Sequence, residues 1–182
     1  RQSLFSNTTA NDNISIGVNA NYANTTGKRN VAVGSGSLGQ NTTADQNTAV
    51  GYLALYANTT GAQNVAFGAY ALDSNTTASY NTAIGDQSLA TNTTGGYNTA
   101  VGQSALFDNT SGAANVALGN SALANNTTAN DNTAVGVAAL EDNTTGAGNV
   151  AVGRYALKAN TTANNNTAVG NQSLFSNTTG SN

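Results

Sequence analysis

The chain has 182 residues and a net charge of -3, with 38% hydrophobic and only 7% charged residues, a balance far from that of an ordinary globular domain. The five basic residues (Arg1, Lys28, Arg29, Arg154, Lys158) are too few and too scattered to neutralise a run of phosphates, which excludes a nucleic-acid footprint or one for an anionic membrane. Cysteine is absent, removing disulfides and thiolate metal sites, and the longest largely apolar run, 49–57, falls well short of the ~20 residues of a membrane-spanning helix.

Low hydrophobicity without high net charge, together with a strict apolar pattern, marks an ordered chain. Residues 1–12 are the tail of a copy whose beginning is missing. Ten copies of 17 residues then start at Asn13, Asn30, Asn47, Asn64, Asn81, Asn98, Asn115, Asn132, Asn149 and Asn166 and run to residue 182. The whole of 1–182 is therefore one repeat array with no linker. Because Gln2–Thr9 returns letter for letter at Gln172–Thr179, both ends read as cuts through a longer array. A fixed period of this size is the signature of a solenoid, in which each repeat leans on its neighbours.

Within each copy, positions 1 to 5 read Asn-Thr-Ala-Val-Gly with few changes, as in 47–51. Alternation with β-branched residues predicts a short strand, with positions 2 and 4 on one face and 3 and 5 on the other. Position 4 is always apolar and position 9 is Leu in every copy but one, the exception being Asn21. These two columns are expected to form the core: Val50, Leu55, Val101, Leu106, Val135 and Leu140 stand for it. Position 5 is Gly in all ten copies, including Gly34, Gly51, Gly85, Gly102 and Gly136, which calls for a positive φ or a backbone approach too close for any Cβ.

Positions 12 to 14 are Asn-Thr-Thr, changed only at Ser111. The Asn column (Asn24, Asn41, Asn58, Asn75, Asn92, Asn109, Asn126, Asn143, Asn160) has two readings. Stacked amides can form a ladder along a solenoid, or, since the triplet is an N-glycosylation sequon, the same residues can carry sugars if they face outward. Gly, Asn and Thr in every copy argue against helices. The expectation is an all-β fold, a β-solenoid of about ten 17-residue coils with two or three short strands per coil. At ~4.8 Å per coil it makes a rod on the order of 48 Å long.

The small face of Ala at position 3, Gly at 5 and Ala or Ser at 8 invites a second chain, hence a homo-oligomer, with a trimer about the rod axis the favoured form and a head-to-tail filament the other. The alternative is that small residues merely fit a narrow coil. Catalysis is not expected: His is absent, and all eight carboxylates sit at variable positions, with adjacent Glu141 and Asp142 directed to opposite faces if in a strand. No cofactor or metal motif is present. The seven tyrosines also occupy variable positions, either as decoration or as contacts for sugars and proteins.

The five-residue motif, with its Asn-Val-Ala-Val-Gly and Asn-Ile-Ser-Ile-Gly variants, resembles the head repeats of YadA-like trimeric autotransporter adhesins. It is also similar to the Asn-Thr-Ala-Val-Gly arrays of phage tail-fibre-like surface proteins. The resemblance implies a trimeric left-handed β-roll displayed outside the cell and used to bind host matrix or surfaces. The expected function is a structural fibre or adhesin segment, extracellular, on the cell surface or on a virion. The alternatives are a repeated face that binds ice or glycan and a glycan-decorated surface fibre.

Overall fold

The computed structural model describes residues 2–180. Ten three-residue strands lie in chain order in a single parallel sheet: β1 (Ile14–Ile16), β2 (Val31–Val33), β3 (Thr48–Val50), β4 (Val65–Phe67), β5 (Thr82–Ile84), β6 (Thr99–Val101), β7 (Val116–Leu118), β8 (Thr133–Val135), β9 (Val150–Val152) and β10 (Thr167–Val169). Each pairs with the strand 17 residues away, Thr48 opposite Val65 and Val50 opposite Phe67 for example, so every side chain stacks on its own equivalent. The chain is a β-solenoid with no helix among the described residues.

Each coil carries one strand where the sequence suggested two or three. The reason lies in the backbone of the other sides. Positions 7, 9 and 17 adopt positive φ in coil after coil, as at Leu53 (54°), Leu55 (52°) and Gln63 (58°), so the chain there cannot be extended. It still bonds between coils. The amides of Leu55, Ala57 and Thr59 donate to the coil ahead (Ala71 O, Asp73 O and Thr76 O, each 2.9 Å), and those of Leu53 and Gln63 donate to the coil behind (Ser35 O, 3.0 Å; Asp45 O, 3.2 Å). Rungs run along the axis on every side, which satisfies the backbone that turns leave unpaired.

The core differs from the expected one in which strand face it uses. Leu55, Leu106 and Leu140 are fully buried as expected. Val50, Val101 and Val135 are not: they are half-buried and face outward, while the position-3 alanines between their neighbours, Ala49, Ala100 and Ala134, are sealed inside. The physical reason is volume. The interior of one coil already holds a Leu, two Asn side chains and the small residue at position 8, so the strand can present only a methyl group inward. The small face is therefore interior, and the narrow-coil alternative describes it. That face is not a seat for a second chain.

One coil breaks the Leu column. Asn21 is fully buried, and neither its Nδ2 nor its Oδ1 has a hydrogen-bond partner. Its φ of 47° suits Asn, whereas the Leu residues at the same place hold φ near +52° at a cost of about 1 kcal/mol each. Burial decides the balance: a Leu side chain gains about 2 kcal/mol from leaving water, and the orphaned amide costs about as much again. Asn21→Leu is expected to stabilise the chain by about 3 kcal/mol net, read as a shift of the urea midpoint to higher concentration with the slope unchanged.

Candidate functional site

Two interior asparagine columns hold the coils in register. In the position-12 column, from Asn41 onward, each Nδ2 donates to the Oδ1 of the preceding coil: Asn41 to Asn24 (3.0 Å), Asn75 to Asn58, Asn92 to Asn75, Asn109 to Asn92 (2.9 Å each) and on to Asn160. The same Nδ2 closes the turn onto the carbonyl three residues on, as Asn58 does with Gly61 O at 2.9 Å. In the position-1 column, Asn47 Oδ1 accepts from the Asn64 amide N–H at 2.9 Å, and Asn47 Nδ2 donates to that same Gly61 O at 2.9 Å. The columns thus meet at one buried carbonyl per coil.

This geometry decides between the two readings of the sequon. Asn24, Asn41, Asn58, Asn75, Asn92, Asn109, Asn126, Asn143 and Asn160 are all fully buried with their amides engaged, so the folded chain has no room for a sugar on any of these nine and they form the amide ladder. Expressed in a glycosylating host, the folded chain is expected to carry none at these nine sites. Peptide mass mapping after proteolytic digestion checks it site by site.

The glycines at position 5 satisfy both requirements at once. Gly34, Gly51, Gly85, Gly102 and Gly136 have φ between 131° and 138°, and a Cβ on any of them would collide with the glycine backbone of the next coil. The Thr pair divides as neighbouring residues must. Thr59 Oγ1 is tied to Thr76 O at 3.1 Å, while Thr60 is exposed, so one free hydroxyl row runs along that edge.

Charged groups are sparse. Glu141 and Asp142 lie in a turn, not a strand, and both reach the Lys158 ammonium, at 2.9 and 3.3 Å. The condition for opposite faces, a strand, is not met there. The Glu141 carboxylate holds the Lys158 ammonium above its usual range, and burial of Asp73, whose Oδ1 has no partner, pushes that carboxyl up. Among the described residues no group of three metal-capable side chains converges.

Two surfaces remain open. The outward sheet face carries the position-4 column from Ile16 to Val169 beside the position-2 column of Thr, Val and Ile, with no charge in either; Phe67 is 56% exposed and Val169 70%. The second is a cleft of about 490 Å³ on the turn side, bordered by Tyr22, Tyr52 and Tyr56. The sequence missed the cleft by treating the tyrosines one at a time. The signal was Gly36 and Gly39, the only copy with Gly at both positions 7 and 10.

The fold and these surfaces define a parallel β-solenoid repeat protein. Compared with known proteins, the chain matches no protein-family profile, no curated sequence and no solved structure.

Proposed function

We propose that the chain is a segment of an extracellular structural fibre or adhesin, on a cell surface or a virion, working as spacer, scaffold or attachment surface. The observation that carries this reading is the outward sheet face: ten coils in register present a continuous uncharged strip rich in Val, Ile, Leu and Phe. At ~4.8 Å per coil it runs for about 45 Å, and a contiguous exposed apolar strip of this kind marks an interaction surface. A second copy has the same pitch, so side chains on facing strips interlock along the whole length. The homo-oligomer therefore survives as a proposal, moved from the small-residue face to this one, and the resemblance to adhesin heads favours three copies; a head-to-tail filament is the other form.

Light scattering on the purified chain tests it, with a mass of three times 18.1 kDa expected, and negative-stain images should show rods. Val101→Lys with Val135→Lys, both outward-facing, should return the chain to a monomer with its circular dichroism intact. A monomeric parent chain that depresses the freezing point non-colligatively would transfer the strip, with its Thr48, Thr82, Thr99, Thr133 and Thr167 row, to ice binding. A monomer without that effect would remove both readings.

A further inference from the structure

The turn side of the solenoid is a wall of position-6, 7, 10 and 11 side chains, and in one coil the wall is missing. Gly36 and Gly39 supply no side chain, while Tyr22 stands in the coil before and Tyr52, Leu53 and Tyr56 in the coil after. Tyr22 and Tyr56 share position 10 two coils apart, ~9.6 Å along the axis. The neighbours on the far side lean into the vacancy: a Cβ on Gly36 would lie 2.6 Å from Leu53 Cδ2, and one on Gly39 would lie 2.7 Å from Tyr56 Cε2. The floor is thus glycine backbone overlain by Leu53 and the edge of the Tyr56 ring, and the walls are aromatic.

Those walls are held in place. Phe5 stacks on Tyr22, ring centroids 5.3 Å apart and 9° from parallel. Tyr70 meets Tyr52 edge-on at 5.3 Å and 85°, and Gln40 Nε2 donates to Tyr56 Oη at 3.1 Å. The other close tyrosine pair, Tyr80 and Tyr97, stack on each other at 4.8 Å and occupy one another's faces instead of flanking a gap. Around the rim, Asn19, Ser35 and Gln40 are exposed and offer amide and hydroxyl groups, and no charged residue borders the cleft.

We infer that this cleft is a binding site for a neutral saccharide, one pyranose ring lying between the Tyr22 and Tyr52/Tyr56 walls. The ligand chemistry follows from the lining. Ring faces are electron-rich and complement the weakly positive C–H groups on the flat side of a pyranose, while Asn19, Ser35 and Gln40 can each both donate to and accept from sugar hydroxyls. A lining without charge discriminates against phosphorylated or acidic ligands, and about 490 Å³ falls within the ~300–1,000 Å³ of small-ligand sites. None of the lining positions belongs to the sheet face, so the site stands or falls independently of self-association.

The test is saturation-transfer NMR on the whole chain with millimolar glucose, galactose, N-acetylglucosamine and cellobiose, supported by tyrosine fluorescence titration. Transfer from protein to pyranose ring protons of at least one sugar is expected. Tyr52→Ala removes a half-exposed wall and should weaken binding at least tenfold. Ser35→Tyr fills the gap from position 6, where Tyr52 shows that tyrosine is tolerated, and should abolish binding with the fold unchanged. Tyr97→Ala, outside the cleft, should bind as the parent does. No transfer to any of the four sugars, or a Ser35→Tyr chain that binds as tightly as the parent, overturns the inference.

Discussion

Gly102→Ala is expected to cost at least about 4 kcal/mol and to split the array near its middle. The residue sits at φ 134°, a region that only glycine occupies without strain, and its added Cβ would lie 2.5 Å from the Gly119 carbonyl oxygen and 2.6 Å from the carbonyl carbon. Backbone cannot rotate aside as a side chain can. Relief requires separating two coils, and the bonds that hold them there, Thr99 N–H to Asn115 O and Gly119 N–H to Val101 O at 2.8 Å each, break as they part. Because a solenoid is stabilised by nearest-neighbour interfaces, the damage should stay local. Hydrogen exchange should accelerate in the coils starting at Asn98 and Asn115 first, and limited proteolysis should yield two fragments of similar size. Gly96→Ala is the control: its Cβ would meet only Ser79 O at 3.1 Å, and its φ is not positive. A Gly102→Ala chain as stable as Gly96→Ala would show that coil spacing is looser than the glycine spine implies.

The period was fully legible, and so were the Leu column, the glycine spine and one of the two readings of Asn-Thr-Thr, because translational repetition forces each coil to meet the same constraint at the same place. The choice of strand face was not. Alternation assigns Val50 and Ala49 to opposite sides without saying which is inside, and hydrophobicity alone favours Val. What settles it is the space left after Leu55 and the asparagines are inside. A subtler signal was available: position 4 ranges from Val50 to Phe67 and Leu118, a spread of sizes that a closely stacked interior cannot hold, whereas position 3 departs from Ala only at Ser15. The number of strands was illegible for a different reason. Nothing in a leucine announces a φ of 52°; that conformation is imposed by the inter-coil bonds on either side of it. The cleft was hidden because Tyr22, Gly36, Gly39 and Tyr56 are adjacent only when read down the coils instead of along the chain.

Asn92→Ala is expected to cost about 3 kcal/mol, although Asn is ordinarily a surface residue. Asn92 sits at the centre of the ladder: its Nδ2 donates to Asn75 Oδ1 and to Gly95 O, and its Oδ1 accepts from Asn109, all at 2.9 Å. Truncation leaves the buried Asn75 oxygen with no donor. Gly95 O keeps its bond from Asn81 Nδ2 and Asn109 keeps Gly112 O, so the penalty is about one orphaned group plus a small cavity. Asn92→Leu fills the cavity and keeps the orphan, so an equal loss in both variants assigns the cost to the hydrogen bond. Asn92→Asp adds a pH signature. A buried carboxyl titrates above its unfolded value of ~3.9, and only its neutral form can donate to Asn75. The stability of that variant should therefore be greatest below about pH 3.9 and fall as the pH rises through the folded-state value, while the parent chain, with an amide there, shows no such loss at this position. Urea midpoints measured from pH 3 to 8 for the two chains give the difference directly, and parallel curves would mean that the ladder oxygens are reached by water.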